Sequence, residues 1–244
     1  MPATVVLLHG FAGTGRAWDA VVERLDPEPY RRPLTALAPD LRGHGAARAA
    51  RPITVDAVVA DVLAAAPPRF ALCGYSMGGR IALHVALAAP ERIERLVLVA
   101  TTAGIDDEAD RAARRQADER LAQLTESATI EAFADRWTAQ PIFAGTPAEA
   151  ARTWREDLLR NDPRALAAAL RGLGTGSMLP LWDRLGELTM PATVVAGEND
   201  ARYLAVARDR LAPALPRAEL VIVPGAGHGL PREAPGAIAE AIAR

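Results

Sequence analysis

Gly74-Tyr75-Ser76-Met77-Gly78 stands between an apolar run, Phe70-Ala71-Leu72-Cys73, and a helical pattern over residues 79–89 that Pro90 stops. A serine with glycine two residues before it and two residues after it is typical of a strained turn from a strand into a helix. Such a turn raises the hydroxyl above the edge of a sheet, whereas a surface serine in a tight glycine turn needs neither flanking element. The stretch therefore predicts Ser76 as a nucleophile at the carboxyl end of a buried strand.

Around this turn, short apolar or β-branched runs alternate with helical patterns. Strands are expected over residues 4–8, 34–38, 70–73, 93–100, 192–197 and 220–223. Helices are expected over residues 18–25, 54–65, 79–89, 203–211 and 235–244. This order predicts an α/β fold whose central sheet is mostly parallel and has helices on both faces. Ligands bind at the carboxyl ends of the strands in such sheets. Four polar residues fall at such ends: His9, Asp40, Ser76 and Thr101.

Residues 102–185 have a different character, because the strand pattern stops there. Long segments rich in Ala, Arg, Glu and Leu take its place, over residues 107–124, 130–137, 147–160 and 163–170. We expect residues 102–185 to form a helical cap over the edge of the sheet. Residues 1–101 and 186–244 would then form the core.

Composition narrows the class of protein. A chain of 244 residues that is 50% hydrophobic can bury one large core. A net charge of −2 gives no reason to expect nucleic acid or an anionic membrane as a partner. The single cysteine, Cys73, excludes an internal disulfide and most cysteine-built metal sites, and we expect it to be a packed core thiol. We see no signal peptide or membrane-spanning run, so we expect a cytoplasmic protein.

A serine hydroxyl is activated when a histidine takes its proton and a carboxylate orients that histidine. After Ser76, both partners have candidates just past predicted strands, in Gly197-Glu198-Asn199-Asp200 and in Gly225-Ala226-Gly227-His228. We prefer Asp200 to Glu198 as the acid because it lies farther past the strand end, where a carboxylate can reach a histidine. The sequence therefore predicts a triad of Ser76, Asp200 and His228.

The other three histidines are expected to have structural roles. His84 lies among apolar residues in a predicted helix, and His44 lies in a turn. His9 precedes Gly10 at a strand end, where we expect it to orient the loop. His228, in a glycine-rich loop after a strand, is the best candidate for the base.

Backbone N–H groups are expected to stabilise negative charge that develops on a substrate oxygen. Met77, directly after the serine, supplies one N–H group. The loop His9-Gly10-Phe11-Ala12-Gly13 supplies the other, and we assign it to Phe11. The predicted oxyanion hole is thus formed by the backbone of Phe11 and Met77.

Arg80 lies four residues after Ser76 and so on the same face of the predicted helix. A guanidinium there must face a ligand or a nearby carboxylate, because burying it alone is costly. Facing a ligand, it would hold a carboxylate through two hydrogen bonds. The alternative is a structural ion pair in the core. An ordinary ester has little use for such a group, so Arg80 favours an anionic substrate.

Three stretches carry a resemblance to a known family. They are Gly74-Tyr75-Ser76-Met77-Gly78-Gly79-Arg80, Phe133-Ala134-Asp135-Arg136-Trp137-Thr138-Ala139-Gln140-Pro141-Ile142-Phe143 and Gly197-Glu198-Asn199-Asp200-Ala201-Arg202-Tyr203. The chain resembles the α/β-hydrolase fold over nearly its whole length. Within that fold it resembles the 2-succinyl-6-hydroxy-2,4-cyclohexadiene-1-carboxylate synthases of menaquinone biosynthesis, and the Trp-x-x-Gln-Pro-x-Phe pattern is the most specific match. The chain has Asn199-Asp200 where the family often has Arg-Asp, and Arg202-Tyr203 where it has Lys-Phe.

The resemblance implies a small anionic substrate that carries three carboxylates. By this resemblance, Arg114 and Arg160 in the cap would contact these carboxylates as well, and Arg115 is a near-equal alternative to Arg114. Tyr75 and Trp137 match positions that line the pocket in the family.

The resemblance also implies lyase chemistry. Ser76, with His228 and Asp200, would act as a base on 2-succinyl-5-enolpyruvyl-6-hydroxy-3-cyclohexene-1-carboxylate, and elimination would expel pyruvate. Neither a metal nor an organic cofactor would be required, and we expect a monomer or weak homo-oligomer. Two alternatives stay open. One is a serine carboxylesterase or carbon–carbon bond hydrolase for an anionic substrate, and the other is a non-catalytic binding module, which would lack a member of the triad.

Overall fold

Six strands of the described chain form one sheet. A computed structural model describes residues 3–25 and 34–244, so residues 1–2 and 26–33 of the predicted core lie outside this part. In chain order the strands are β1 (Ala3–Leu8), β2 (Leu34–Leu37), β3 (Phe70–Tyr75), β4 (Ile93–Val99), β5 (Ala192–Gly197) and β6 (Ala218–Val223). The order across the sheet is β2-β1-β3-β4-β5-β6, and every neighbouring pair is parallel. The predicted parallel sheet is confirmed.

Helices connect these strands. They are α1 (Asp19–Val22), α2 (Val55–Ala65), α3 (Met77–Ala88), α4 (Glu108–Glu126), α5 (Ile130–Thr138), α6 (Ala148–Leu158), α7 (Pro163–Leu173), α8 (Ala201–Val206), α9 (Ala212–Ala214), α10 (Leu230–Glu233) and α11 (Pro235–Ala243). Within the described ranges, none of these helices combines the length and the apolar character that crossing a membrane requires.

Alternate residues of the strands contribute to two cores, one on each face of the sheet. In β1, Val6 and Leu8 belong to one core, whereas Val5 and Leu7 belong to the other. Residues of α2 and α3 complete the first core, and residues of α1 and α11 complete the second. Burial on both faces explains why the strands are continuous apolar runs rather than alternating patterns. The prediction of helices on both faces is confirmed.

The chain between β4 and β5 is helical, as expected. It contains α4, α5, α6 and α7, and α4 packs against α7. Phe133, Phe143 and Trp154 from this segment form a cluster with Ala12, which lies in the loop after β1. The inserted helices therefore lie beside the carboxyl ends of the strands. The division into a core of residues 1–101 and 186–244 and a cap of residues 102–185 stays a prediction.

Some helices differ from the sequence pattern. Only the four residues of α1 are α-helical within the predicted helix over residues 18–25. The helix predicted over residues 203–211 begins earlier, because the Asp200 side chain caps α8 by accepting the N–H of Tyr203. The short helix α10 was not predicted, since four residues are too few to establish a helical periodicity.

The turn between β3 and α3 is packed so closely that its glycines cannot carry side chains. A Cβ atom at Gly74 would overlap the carbonyl group of Gly78, and one at Gly78 would overlap the carbonyl oxygen of Leu8 in β1. Ser76 itself has a φ angle of 52°, in the left-handed region. A residue with a side chain held there costs about 1–3 kcal/mol, which the surrounding packing must offset. The backbone around the serine is therefore fixed by its contact with the neighbouring strand.

We predict that Gly78→Ala lowers the free energy of unfolding by about 3 kcal/mol, because the new methyl group meets the backbone of β1. Gly186→Ala is the matched control, since a Cβ atom there has no neighbour within 4 Å. Its expected effect is within about 0.5 kcal/mol. Chemical denaturation of both variants measures the difference. Equal stability of the two variants would contradict the close approach at position 78.

Candidate active site

Ser76 is held at its turn by backbone hydrogen bonds to the end of a neighbouring strand. Its N–H donates to the carbonyl of Val99 at the end of β4, at 2.9 Å. Its carbonyl accepts the hydroxyl of Thr101, at 2.7 Å, and the N–H groups of Gly79 and Arg80. The Ser76 side chain is half-buried and lines a cavity, so its hydroxyl is accessible to a small molecule.

The three residues predicted as a triad lie in hydrogen-bonding contact. Nε2 of His228 lies 3.2 Å from Oγ of Ser76, and Nδ1 of His228 lies 2.6 Å from Oδ2 of Asp200. The other carboxylate oxygen of Asp200 accepts the N–H of Tyr203, at 3.3 Å. Asp200 is 5% exposed and His228 is 4% exposed, so water competes little for these bonds. This geometry allows His228 to take the serine proton while Asp200 orients the imidazole ring.

Glu198 and Asp200 follow the same strand but have different partners. Glu198 is exposed, and its Oε2 accepts the N–H of Gly225 at 2.8 Å. Glu198 thus connects the loop after β5 to the loop after β6, which carries His228. Asp200, rather than Glu198, supplies the carboxylate that contacts the histidine.

None of the other three histidines lines the cavity at Ser76. Nε2 of His9 accepts the N–H of Leu41 at 2.9 Å, so the proton lies on Nδ1, which donates to the carbonyl of Gly10 at 2.8 Å. Burial lowers the pKa of His9. Burial also lowers the pKa of His44 to about 3 and that of His84 to about 4, so these rings are neutral at pH 7. His9 fixes the loop after β1, as its position in the sequence indicates.

The two residues expected to supply backbone N–H groups to an oxyanion hole line the same cavity as the serine. Met77 is the first residue of α3, so its N–H has no partner within the helix. Phe11 lies in the loop that His9 orients, and both Phe11 and Met77 line the cavity. The arrangement can therefore direct two donors at an oxygen bound beside Ser76.

The cavity at Ser76 has a volume of about 270 Å³ and a strongly cationic lining. It is lined by Gly10, Phe11, Tyr75, Ser76, Met77, Arg80, Arg114, Leu121, Trp137, Gln140, Pro141, Ile142, Phe143, Trp154, Leu170, Leu173, Gly174, Thr175, Arg202, Tyr203 and His228. This set holds three arginines, and none of its members is an aspartate or a glutamate. Elsewhere in residues 3–25 and 34–244, no group of three or more His, Cys, Asp or Glu side chains is placed to hold a metal ion. The lining suits a ligand with several negative charges.

Arg80 is the most deeply buried of these cations, with 7% of its surface exposed. Its guanidinium donates to the carbonyl of Leu173 at 3.2 Å and to the sulfur of Met178 at 3.3 Å. No carboxylate of the described residues forms an ion pair with Arg80. The alternative interpretation, a structural ion pair in the core, is therefore not supported within this part of the chain. Burial lowers the pKa of Arg80 to about 10, which still leaves the group charged at neutral pH. Since a guanidinium has five N–H donors, several are left for a ligand.

Arg114 contributes the second cation, from helix α4. Its Nε donates to Oδ1 of Asp118 at 2.8 Å, while Oδ2 of that buried carboxylate has no hydrogen-bond partner. Arg115 instead donates to the carbonyl of Gly176 at 3.0 Å and pairs with Glu108, and it does not line the cavity. Of the two alternatives drawn from the resemblance, Arg114 is the one at the cavity.

Arg160 does not lie at this cavity. It is exposed and lines a second cavity, of about 570 Å³, on the other side of α6. The inward side of that helix is occupied by Trp154 and Leu158, which are buried, and the next inward side chain is that of Asn161. The expected contact between Arg160 and the substrate carboxylates is therefore not supported by its position, because its side chain leaves the helix end on the outer side.

Tyr75 and Trp137 line the cavity, as the resemblance implied. Nε1 of Trp137 is buried without a hydrogen-bond partner, so a donor is available there.

Sequence reasoning missed two residues of the lining, Arg202 and Tyr203. Arg202 supplies the third cation, and the ring of Tyr203 lies 4.7 Å from that of His228. Their signal was present in the sequence, since they lie two and three residues after Asp200 in a stretch that carries the resemblance.

The chain resembles known proteins along nearly its whole length. A family described as "Alpha/beta hydrolase family" matches residues 5–241. A Bacillus subtilis protein with the provisional name 2-succinyl-6-hydroxy-2,4-cyclohexadiene-1-carboxylate synthase is 35% identical over 95% of this chain and 85% of its own length. A pimeloyl-(acyl-carrier protein) methyl ester esterase from Nitrosomonas europaea is 32% identical, over 92% of this chain and 88% of that protein. The solved structure of MenH from S. aureus has a TM-score of 0.85 at 28% identity and covers 98% and 91% of the two chains. The resemblance drawn from the sequence is confirmed.

We predict that Asp200→Asn slows covalent labelling of Ser76 by a fluorophosphonate about 10³-fold, because an amide no longer holds the imidazole in the required tautomer. Glu198→Gln is the matched control, since its amide oxygen keeps the hydrogen bond from Gly225. Its labelling rate should stay within about threefold of wild type. Rapid labelling of Asp200→Asn together with slow labelling of Glu198→Gln would assign the acid to Glu198 instead.

Proposed function

The chain belongs to the alpha/beta hydrolase family, and from this premise we propose that it is a lyase of menaquinone biosynthesis. It would eliminate pyruvate from 2-succinyl-5-enolpyruvyl-6-hydroxy-3-cyclohexene-1-carboxylate and yield 2-succinyl-6-hydroxy-2,4-cyclohexadiene-1-carboxylate. The name of the Bacillus subtilis relative supports this product. The identity of that relative is only slightly higher than that of the esterase relative, so the choice between them depends on the site.

The observation that carries the proposal is the charge of the cavity. The substrate has three carboxylates, on its ring, its succinyl group and its enolpyruvyl group. The cavity offers Arg80, Arg114 and Arg202, with no acidic residue among its lining side chains. Arginine binds a carboxylate through two parallel hydrogen bonds, and the low exposure of Arg80 strengthens such bonds at that residue. A neutral methyl ester would leave the buried charge of Arg80 without a partner, which is unfavourable.

We propose that the helical segment acts as a cap over a catalytic core. Residues 102–185 would supply Arg114 and Trp137 to the substrate, while residues 1–101 and 186–244 would supply the triad, Arg80 and Arg202. All of these groups come from one chain, so the proposal needs no second subunit. Tyr75 would complete the wall beside His228, since the centres of their rings are 5.4 Å apart.

The first step would be removal of a ring proton by Ser76. Carbon 2 of the substrate ring bears the succinyl carbonyl, so its proton is acidic. Oγ of Ser76 would take this proton while its own proton passes to Nε2 of His228. Asp200 would stabilise the imidazolium through its contact with Nδ1.

The second step would move the electron pair toward the leaving group. As the C2–H bond breaks, negative charge develops on the succinyl carbonyl oxygen, where the N–H groups of Phe11 and Met77 can stabilise it. The ring double bond then shifts and the bond between C5 and the enolpyruvyl oxygen breaks. The enolate of pyruvate that leaves takes up on carbon the proton that the imidazolium of His228 gives up, so pyruvate forms and the imidazole returns to its neutral state. This sequence requires neither an acyl-enzyme nor a metal or organic cofactor.

The second candidate function is hydrolysis of an ester or a carbon–carbon bond in an anionic substrate. The same triad geometry favours it, and the Nitrosomonas europaea relative is named as an esterase. A hydrolase would form a covalent acyl-enzyme at Ser76. A burst of product from an activated ester, followed by slower turnover, would therefore support hydrolysis. The third possibility, a non-catalytic module, would leave Ser76 unreactive toward a fluorophosphonate.

We predict that the wild-type protein releases pyruvate from the enolpyruvyl substrate far above the spontaneous rate, in an assay coupled to lactate dehydrogenase. Ser76→Ala should reduce release to the spontaneous rate, because no base is left at the ring proton. Arg80→Ala should lower kcat/KM by about 100-fold, the value of a buried charged hydrogen-bond pair. Release at the spontaneous rate by the wild type, with turnover of an activated ester, would replace the lyase with a hydrolase.

We further predict that Arg114→Ala raises KM for this substrate about tenfold, because a partly exposed cation contributes less than a buried one. Arg120→Ala is the matched control, an exposed arginine of the same helix outside the cavity. Its KM should be unchanged. Equal effects of the two substitutions would mean that net charge, rather than a contact in the cavity, attracts the substrate.

A further inference from the structure

One buried carboxylate of the inserted helices contacts both the loop after β1 and the short helix α10, which follows His228. Asp157 lies near the end of α6 and is 4% exposed. It accepts the backbone N–H of Thr14 at 3.1 Å and also accepts the hydroxyl of that residue. It accepts Nη2 of Arg232 at 2.6 Å, and the side chain of Arg232 is 8% exposed. Asp157 therefore joins the loop after β1 to helix α10.

Thr14 lies three residues after Phe11, whose N–H is assigned to the oxyanion hole. The backbone between them is also held by Asn161, which donates to the carbonyl of Ala12 at 2.8 Å. Ala12 has a φ angle of 61°, in the left-handed region, so this loop is not in a relaxed conformation. Contacts from α6 and from the residues just after it thus hold the backbone that directly follows Phe11.

Arg232 connects the same carboxylate to the base. It follows His228 by four residues, and its neighbour Glu233 accepts the N–H of Gly227 at 2.6 Å and that of Gly229 at 3.0 Å. These two N–H groups belong to the residues on either side of His228. The α10 turn therefore holds the backbone of the histidine, and the pair between Arg232 and Asp157 holds the α10 turn.

We infer that Asp157 is a positioning residue that fixes the N–H of Phe11 and the imidazole of His228 relative to Ser76, although it contacts none of these groups. A buried ion pair adds little net stability compared with apolar residues of similar size. The effect of Asp157 should therefore be on geometry, where a displacement of about 1 Å can cost about 100-fold in rate. The inference rests on the proposed roles of Phe11 and His228. It does not depend on whether the reaction is elimination or hydrolysis.

Fluorophosphonate labelling of Ser76 tests this inference, because labelling needs the base and the oxyanion hole but no particular substrate. Asp157→Ala should label about tenfold more slowly or worse. Asp157→Asn should stay within about threefold of wild type, since an amide oxygen can still accept from Thr14 and Arg232. Asp135→Ala is the matched control, because it removes the carboxylate of an exposed ion pair with Arg155 in the same group of helices. It should label at the wild-type rate.

A double variant separates geometry from stability. Asp157→Leu with Arg232→Met replaces the pair by apolar side chains, so its thermal unfolding temperature should stay close to that of wild type. It should nevertheless label as slowly as Asp157→Ala. In pyruvate release, kcat should fall while KM changes less than about threefold. Labelling of the folded double variant at the wild-type rate, or a rise in KM at constant kcat, would overturn the inference. If the Asp157→Ala and double variants label slowly but the wild-type protein releases no pyruvate, the inference stands and only the proposed function is overturned.

Discussion

The backbone at Ser76 passes so close to the end of β1 that only glycine fits at position 78, and this contact sets the register of the whole site. The same turn is tied to β4, because the N–H of Ser76 donates to Val99. The serine is thus fixed to the strands on both of its sides, in the middle of the sheet. The loops after β1, β5 and β6 then bring the other groups to a hydroxyl whose position is already determined.

The second constraint is electrostatic. Burying Arg80 without a carboxylate costs free energy, and a carbonyl and a thioether offset only part of that cost. Arg114 forms an ion pair with the buried Asp118. Arg202 lies at the same cavity, whose lining contains no acidic residue. An anionic ligand would supply the missing partners. Binding an anionic ligand therefore lowers the free-energy cost of the buried charge. This is the reason to prefer a polycarboxylate substrate over a neutral ester.

The inserted helices do more than cover the site. Through Asp157 and Asn161 they contact the loop after β1, and through Asp157 they contact the turn that follows His228. The serine is held by the strands beside it and by Thr101, whereas the inferred positions of the histidine and of the Phe11 N–H also depend on the insertion. Differences in the inserted helices between related proteins could therefore alter the chemistry without changing the triad.

The sequence by itself determined the sheet, its helices on both faces and the choice of Ser76, Asp200 and His228 as the predicted triad, because these depend on local patterns: apolar runs, glycine spacing and the positions of polar residues after strands. The same patterns located Arg80, since four residues along a helix return to one face. Only the tertiary structure decided which insertion arginines reach the cavity. Arg114 reaches it and Arg160 does not, because the direction of a side chain at a helix end depends on how that helix packs. The contacts of Asp157 likewise join residues far apart in the chain, and no local pattern records which distant loop a carboxylate will meet.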